Sequence, residues 1–195
     1  QADQGIGKPA LARILTPLIK FRACRGARKV TGDGMEVRGG CGYIEEWTEP
    51  RLVRDAHLGS IWEGTSNIVA LDVLRAIQKE GSLPALREHI EALLAEGVPC
   101  TAELADEQAR CIEKAFSLAE HAATGNHAAL ARQAASALYH VTAMAGLRWE
   151  ARHAGLETRS LIADQVLRHR LMPADPCTVP CDDDLIYQDI LQYAL

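Results

Sequence analysis

Residues 39–67 contain most of the side chains of this sequence that could do chemistry. The stretch reads GGCGYIEEWTEPRLVRDAHLGSIWEGTSN, in which a glycine-rich loop is followed by one isolated acid, Glu63, between Trp62 and Gly64. Glycines let the backbone approach a ligand closely and expose its N–H groups to phosphates. A carboxylate partly shielded from water by Trp62 and its neighbours would hold a proton more tightly, which suits a general base.

Both features also have structural explanations, and local chemistry leaves the choice open. Gly39 and Gly40 can end a helix, and Glu63 can be a first-turn acid that a helix dipole stabilises. The glycine spacing does not match the GxGxxG dinucleotide-binding pattern, and no predicted strand precedes it. These residues therefore argue against a Rossmann fold.

The rest of the sequence predicts helices that hold this stretch. Apolar residues recur at three-to-four spacing with no convincing strand-like alternation, and aromatic residues make up only 5% of the chain, which favours helix over sheet. The prediction is an all-α fold, an antiparallel helix bundle. The expected helices cover about 17–38, 65–78, 83–96, 101–124, 126–152, 158–171 and 184–193, with a turn-rich loop at 40–50 and a single helical turn at 51–56.

Capping residues set these predicted boundaries. We expect Thr16 to cap the first helix, Pro17 to be its first residue, and Gly39 to end it. Thr65 or Ser66 is expected to cap the second. Further boundaries are expected at Ser82, Gly97, Thr101, Gly125, Asn126 and Gly155.

The net charge of −5 lies entirely in residues 98–195, because basic and acidic residues balance in 1–97. Such a composition does not favour nucleic-acid binding. A local exception is the basic stretch formed by Lys20, Arg22, Arg25, Arg28, Lys29 and Arg38. It is interpreted either as a solvated helix face or as a contact with the phosphates of a cofactor or partner.

Composition also bears on compartment and metal binding. Cysteines at 24, 41, 100, 111, 177 and 181 form no Cys-x-x-Cys or Cys-His cluster, so reduced thiols and no metal are expected. No apolar run approaches the roughly 20 residues that cross a bilayer. We expect no membrane association and a cytoplasmic location, and the initial Gln1 suggests a fragment of a longer protein.

Three blocks between Thr16 and Arg75 together resemble a known family. ARKVTGDGMEVRGGCGYIEE, then RLVRDA, then IWEGTSN are similar to the C-terminal helical domain of the acyl-CoA dehydrogenases. The Glu-Glu pair after Tyr43, together with Trp62 and the helical tail, most resembles the branch that includes the bacterial alkylation-response protein. The resemblance implies a four-helix domain, partly represented by 1–97, and a helical C-terminal extension at 98–195.

The resemblance implies specific roles for the residues of the stretch. Glu63 would abstract the α-proton of an acyl-CoA while FAD accepts a hydride, and its backbone N–H would polarise the thioester carbonyl. Trp62 and Gly64 would bind substrate. Glu36, Gly39 and Gly40 match a segment that contacts the FAD of a neighbouring subunit. Thr65, Ser66 and Asn67 match a second segment that contacts FAD.

The expected function is therefore FAD-dependent α,β-dehydrogenation of an acyl-CoA thioester, by a protein of which this chain is a fragment that is inactive alone. Expected partners are acyl-CoA, further copies of the chain and an electron-transfer acceptor protein, without nucleic acid. One alternative is a flavoprotein-derived module of the alkylation-response type that binds DNA or protein. Another is a helical oligomerisation domain.

Overall fold

The computed structural model of the protein describes residues 8–125, 127–172 and 188–191. No strand occurs in these ranges, and the predicted all-α fold is confirmed. The α-helices are α1 (Pro9–Val37), α2 (Gly40–Tyr43), α3 (Glu49–Leu58), α4 (Ser66–Glu80), α5 (Ser82–Glu96), α6 (Ala102–Ala123), α7 (Ala131–His153) and α8 (Thr158–Val166). A 3-10 turn (Ala128–Leu130) precedes α7, and a π-helical turn (Leu167–Leu171) follows α8.

The chain divides into two compact units. The first unit comprises Gln1–Ser82 and His121–Ser136, and the second comprises Leu83–Glu120 and Ala137–Leu195. The first unit contains α1 to α4 and the whole stretch 39–67. The domain boundary predicted between residues 97 and 98 stays a prediction.

In the first unit α1 packs against both α3 and α4. One side of each helix is buried at the spacing expected of an amphipathic helix. The buried residues are Ile14, Pro17, Leu18 and Phe21 on α1, and Val69, Ala70, Val73, Leu74 and Ala76 on α4.

The first helix begins earlier than predicted. Its first residue is Pro9, so the prediction of an N-terminus at Thr16 and Pro17 was wrong. The Thr16 hydroxyl donates to the Ala12 carbonyl at 2.8 Å instead of capping a helix. A proline inside a helix removes one backbone hydrogen bond and costs about 3 kcal/mol. Because Pro17 is buried beside Leu18, burial of this apolar side offsets that cost.

Glycine and threonine signals located other helix ends correctly. Gly39 follows α1, Thr65 is the N-cap of α4, and Gly97 follows α5. Thr65 does not cap through its side chain, and the hydroxyl of Ser82 donates backward to the Ala76 carbonyl at 3.0 Å.

Two short segments are more helical than predicted. The turn-rich loop expected at 40–50 contains α2, and the single turn expected at 51–56 is the ten-residue helix α3. Pro50 near the start of α3 fixes a helical φ where no N–H partner is needed. The proposed cap Asn126 lies outside the described residues, as does most of the predicted 184–193 helix, of which the described residues 188–191 are helical.

The second unit has its own apolar core and a buried arginine. The core is formed by Leu104, Cys111, Met144, Ala163 and Leu167. The Arg148 side chain is only 1% exposed. Its Nε donates to Gln108 Oε1 at 2.8 Å and its Nη2 to Asp164 Oδ1 at 2.6 Å, so it connects α6, α7 and α8.

Replacing Arg148 by Met is expected to destabilise the second unit by about 3–5 kcal/mol, because Asp164 loses its buried countercharge. Chemical denaturation followed by circular dichroism measures this change. Arg110→Met is the matched control: Arg110 pairs with Glu107 and is 59% exposed, so its loss should cost about 1 kcal/mol or less. Equal effects of the two substitutions would contradict the assignment of Arg148 as a buried charge.

The described ranges contain neither a candidate membrane-spanning helix nor a candidate metal site. No described helix is long and apolar enough to cross a membrane, and no described group of three or more His, Cys, Asp or Glu side chains is arranged to hold a metal. The described cysteines, Cys24, Cys41, Cys100 and Cys111, are free thiols. Cys177 and Cys181 lie outside the described residues.

Candidate functional site

Glu63 lies in a strained turn between α3 and α4. Backbone bonds from Ile61 N and Trp62 N to the Leu58 carbonyl, at 2.9 and 3.0 Å, tighten the chain after α3. Glu63 then takes a φ of 53°, and within the described ranges it is the only residue other than glycine with positive φ. Gly64 follows with a φ of 106°, a value that L side chains rarely adopt.

The ammonium group of Lys20 on α1 contacts the turn. Lys20 Nζ donates to the Trp62 carbonyl and lies 3.8 Å from Glu63 Oε2, while the Lys20 side chain is only 24% exposed. Sequence reasoning placed Lys20 in the basic stretch and missed this contact. The two partners are separated by 42 residues, and no local pattern signals such a pairing.

Six consecutive backbone N–H groups, those of residues 63–68, have no hydrogen-bond acceptor among the described residues. The next one, Val69 N, donates to the Thr65 carbonyl at 3.0 Å. The first turn of α4 contains no acid. Since Glu63 precedes the helix, the interpretation of Glu63 as a first-turn acid is wrong, and the free N–H groups face solvent or a ligand.

The Glu63 carboxylate is not shielded as the sequence suggested. Its side chain is 84% exposed, and the neighbours expected to cover it, Ile61 and Trp62, are 63% and 67% exposed. The described residues therefore place Glu63 on an open surface.

Gly64 faces its own chain. A Cβ built on Gly64 would lie 3.3 Å from Ile68 Cγ2 and 3.4 Å from Val69 Cγ2. The glycine is thus required by backbone conformation and by close packing on α4. Its predicted role in substrate binding stays a prediction.

A groove of about 390 Å³ lies between α1 and α4 beside Glu63. Its charged lining comprises Arg13, Lys20, Glu63, Asp72 and Arg75, and its apolar lining includes Pro17, Ile68 and Val69. Arg13 donates to both carboxylate oxygens of Asp72 at 2.9 and 2.8 Å. These hydrogen bonds lower the pKa of Asp72, so the groove carries three cations against two carboxylates.

The other predicted set of FAD contacts, a strip formed by Glu36, Gly39 and Gly40, lies far from Glu63. Glu36, Gly39 and Gly40 are exposed at the C-terminal end of α1, where Gly39 has a φ of 61° and donates its N–H to the Glu36 carbonyl at 2.9 Å. Glu36 is sixteen residues after Lys20, which corresponds to about 24 Å along a helix. The structure brings 62–67 together with Lys20 but does not bring Glu36, Gly39 and Gly40 to them.

Comparison with known proteins identifies the segment that carries this geometry. Residues 2–78 match the family described as acyl-CoA dehydrogenase, C-terminal domain. The predicted resemblance is thereby confirmed, and the matched segment contains both the Gly39–Gly40 loop and the Glu63 turn.

Two relatives show how much of a larger protein this acyl-CoA dehydrogenase segment represents. AidB of Escherichia coli, whose name places it among the acyl-CoA dehydrogenases, is 46% identical over 72 residues, covering 37% of this chain and 13% of AidB. Acyl-CoA dehydrogenase family member 11 of Caenorhabditis elegans is 42% identical over 85 residues, covering 43% of this chain and 14% of the relative. The matched segments thus span about a seventh of each relative.

A solved structure extends the similarity beyond the matched segment. The crystal structure of Caenorhabditis elegans ACDH-11 in complex with C11-CoA superimposes with a TM-score of 0.71 and 26% identity. The superposition covers 89% of this chain and 32% of that chain. Since 89% reaches well past residue 78, helices of the second unit are also found in that acyl-CoA dehydrogenase structure.

Arg13→Met is expected to reduce the stability of the acyl-CoA dehydrogenase domain in a pH-dependent way. Because Arg13 lowers the pKa of Asp72, their pairing stabilises the fold above the ordinary pKa of an aspartate and is lost as the pH falls through the lower, folded-state pKa. Both side chains are about one third exposed, so we expect at most about 1 kcal/mol at pH 7. Denaturation across pH should show wild type and variant converging in acid. A difference that persists unchanged at low pH would contradict the pairing.

Gly64→Ala is expected to destabilise the acyl-CoA dehydrogenase domain by about 1–3 kcal/mol, because it forces positive φ on a residue with a Cβ and crowds Ile68. Thermal or chemical unfolding measures the change. Gly40→Ala is the matched control, since Gly40 is helical and nothing lies within 4 Å of its built Cβ. Similar losses in both variants would show that the strain is not specific to the turn.

Proposed function

We propose that the protein to which this chain belongs oxidises an acyl-CoA thioester to the α,β-unsaturated thioester, with Glu63 as the base and FAD as the electron acceptor. The observation that carries the proposal is the combination, in one turn, of an isolated carboxylate and a run of free N–H donors at 63–68. The match of residues 2–78 to the acyl-CoA dehydrogenase family supports the same reaction class.

The turn can supply both the base that removes the proton and the donor that stabilises the resulting negative charge. The Glu63 carboxylate takes the proton from Cα, and a backbone N–H of the turn donates to the thioester oxygen, where negative charge develops. Because this N–H has no acceptor among the described residues, no hydrogen bond must break before it donates to the developing charge. The bound flavin supplies the chemistry of accepting the hydride from Cβ.

Lys20 is a positioning residue in this proposal. Its ammonium contacts the Trp62 carbonyl and the Glu63 carboxylate together, so it holds a backbone conformation that a non-glycine residue adopts only at a cost. Trp62, with 67% of its surface exposed, is proposed to contact the acyl chain or the flavin.

The residues proposed to contact FAD fit a phosphate-bearing group unequally well. Thr65, Ser66 and Asn67 present free N–H groups at the start of α4, an arrangement that favours anions. Gly39 and Gly40 have open space where side chains would be. The neighbouring Glu36 adds an exposed negative charge and fits a phosphate less well.

The distance between the two strips supports a homo-oligomer. Because about 24 Å of helix separates Lys20 from Glu36, we propose that the strips contact different flavins, each shared between copies of the chain. Exposed apolar side chains near the strip that contains Glu36, such as Val37 at 86% and Tyr43 at 76%, are available for such an interface. We further propose a cytoplasmic protein that passes electrons to an acceptor protein.

This chain by itself is expected to turn over little substrate. A carboxylate that is 84% exposed is fully hydrated, and its interactions with a developing charge are weakened by water. Catalysis therefore needs a second surface over the turn. We propose that other parts of the protein or another subunit supply it.

The alternatives remain open to test. The basic residues of α1 favour a module that binds DNA or protein, and the exposed apolar residues favour a helical oligomerisation domain. Neither alternative uses the Glu63 carboxylate. An experiment on Glu63 therefore separates them from the enzyme.

In the full-length protein, flavin absorbance should bleach when an acyl-CoA is added. Glu63→Gln should bleach about 10²–10⁴-fold more slowly while retaining flavin, since the amide cannot accept the proton. Glu46→Gln is the control, because Glu46 is also an exposed acid of the same stretch, and it should bleach at the wild-type rate. A protein that binds no flavin, or a Glu63→Gln variant that bleaches normally, would refute the proposed function.

A further inference from the structure

A second cavity, distinct from the groove at Glu63, is lined by basic side chains among the described residues. It has a volume of about 260 Å³ and its lining residues are Arg25, Arg28 and Lys29 of α1 and His57 of α3. We call it the basic cavity. No carboxylate of the part of the chain that the structure describes is in its lining.

The cations of the basic cavity are incompletely neutralised. Lys29 pairs with Asp33 at 2.5 Å. Arg25 has no acidic partner among the described residues and lies over the ring of Phe21, with its guanidinium carbon 5.7 Å from the ring centroid. The Nε of Arg28 is shielded from solvent and has no hydrogen-bond acceptor.

Neighbouring charges make this arrangement unfavourable in the isolated chain. Burial lowers the pKa of Arg25, and the nearby guanidinium groups of Arg132, Arg22 and Arg28 lower it further. Like charges at i,i+3 and i,i+4 on a helix each cost about 0.2–0.5 kcal/mol. A bound anion would offset the repulsion between these cations.

The carboxylates of α3 do not compensate these cations because they pair elsewhere. Asp55 lies 3.6 Å from Arg51, and Glu49 lies 3.1 Å from Arg38. The basic cavity thus keeps its positive charge although α3 carries two carboxylates. Such a concave, uncompensated cluster is typical of an anion-binding site.

We propose that the basic cavity binds a phosphomonoester group. Two guanidinium groups suit a tetrahedral dianion because each can donate two parallel hydrogen bonds, and a phosphomonoester carries about −1.5 to −2 charges at pH 7. His57 is held in place by its Nδ1, 2.8 Å from the Val53 carbonyl, which leaves its Nε2 free. The proposal does not depend on Glu63 or on dehydrogenase activity.

A small phosphate fits the basic cavity better than a polynucleotide. Binding a nucleic-acid backbone needs an extended row of free cations. On α3, however, Arg51 and Arg54 are matched by Asp55 and Glu45. The cations of α3 therefore do not extend the uncompensated charge of the cavity.

Thermal unfolding of the full-length protein in low-salt buffer tests the site, with inorganic phosphate as the probe and NaCl of equal ionic strength as the salt control. Phosphate should raise the Tm of the wild type and of Arg51→Gln, a matched control outside the cavity. Arg25→Gln and Arg28→Gln should bind phosphate at least tenfold more weakly.

The source of the phosphate is tested by competition. Coenzyme A carries one phosphomonoester, which dephospho-coenzyme A lacks. If coenzyme A displaces phosphate and dephospho-coenzyme A does not, the site is assigned to coenzyme A. If neither compound displaces phosphate, the site is assigned to free phosphate or to a different phosphomonoester.

Three results would overturn the proposal. NaCl could raise the Tm as much as phosphate does, which would mean simple screening. Arg25→Gln and Arg28→Gln could bind phosphate as tightly as the wild type, which would show that these guanidinium groups do not contact the anion. A single-stranded oligonucleotide could bind through Arg25 and Arg28 while phosphate does not.

Discussion

The first unit depends on α1 remaining a continuous helix through Pro17. Arg13 and Lys20 are seven residues, about two turns, apart and therefore lie on the same side of the helix, where one contacts Asp72 and the other the Trp62 carbonyl. A helix that began at Pro17 would leave Arg13 without a fixed position. Burial of the apolar side of α1 thus fixes the geometry of the candidate site, although Ile14, Leu18 and Phe21 do not line its groove.

Because the site depends on long-range packing, only its locally determined features could be predicted from the sequence. The helix ends at Gly39 and the N-cap at Thr65 follow from conformational preferences of single residues, and these predictions were correct. The start of α1 was wrong because the local preference of Pro17 for a first turn is weaker than the burial of Ile14 and Leu18, which no local rule includes. The contact of Lys20 with the turn joins segments 42 residues apart and has no local signature.

The candidate site was predictable in composition but not in environment. An isolated acid before a helix and next to glycine indicated Glu63, and the structure places it in a strained turn with free donors. Its exposure could not be predicted, since shielding by Trp62 requires a partner surface that packs the indole over the acid. In water, the attraction between charges 4 Å apart is only about 1 kcal/mol. A chemical role for Glu63 therefore requires that something cover the turn.

The backbone of the turn offers more unpaired donors than a helix N-terminus alone. Any helix without a side-chain cap leaves four N–H groups unpaired, which accounts for residues 65–68 here. Glu63 and Gly64 add two more donors, and the positive φ of Glu63 costs about 1–3 kcal/mol. Lys20 offsets part of that cost but satisfies a carbonyl, not the donors. Since no described residue of the chain uses these six N–H groups, the arrangement gains its stabilisation from a bound acceptor or from water, and a thioester oxygen beside the Glu63 carboxylate is an acceptor that uses both features of the turn.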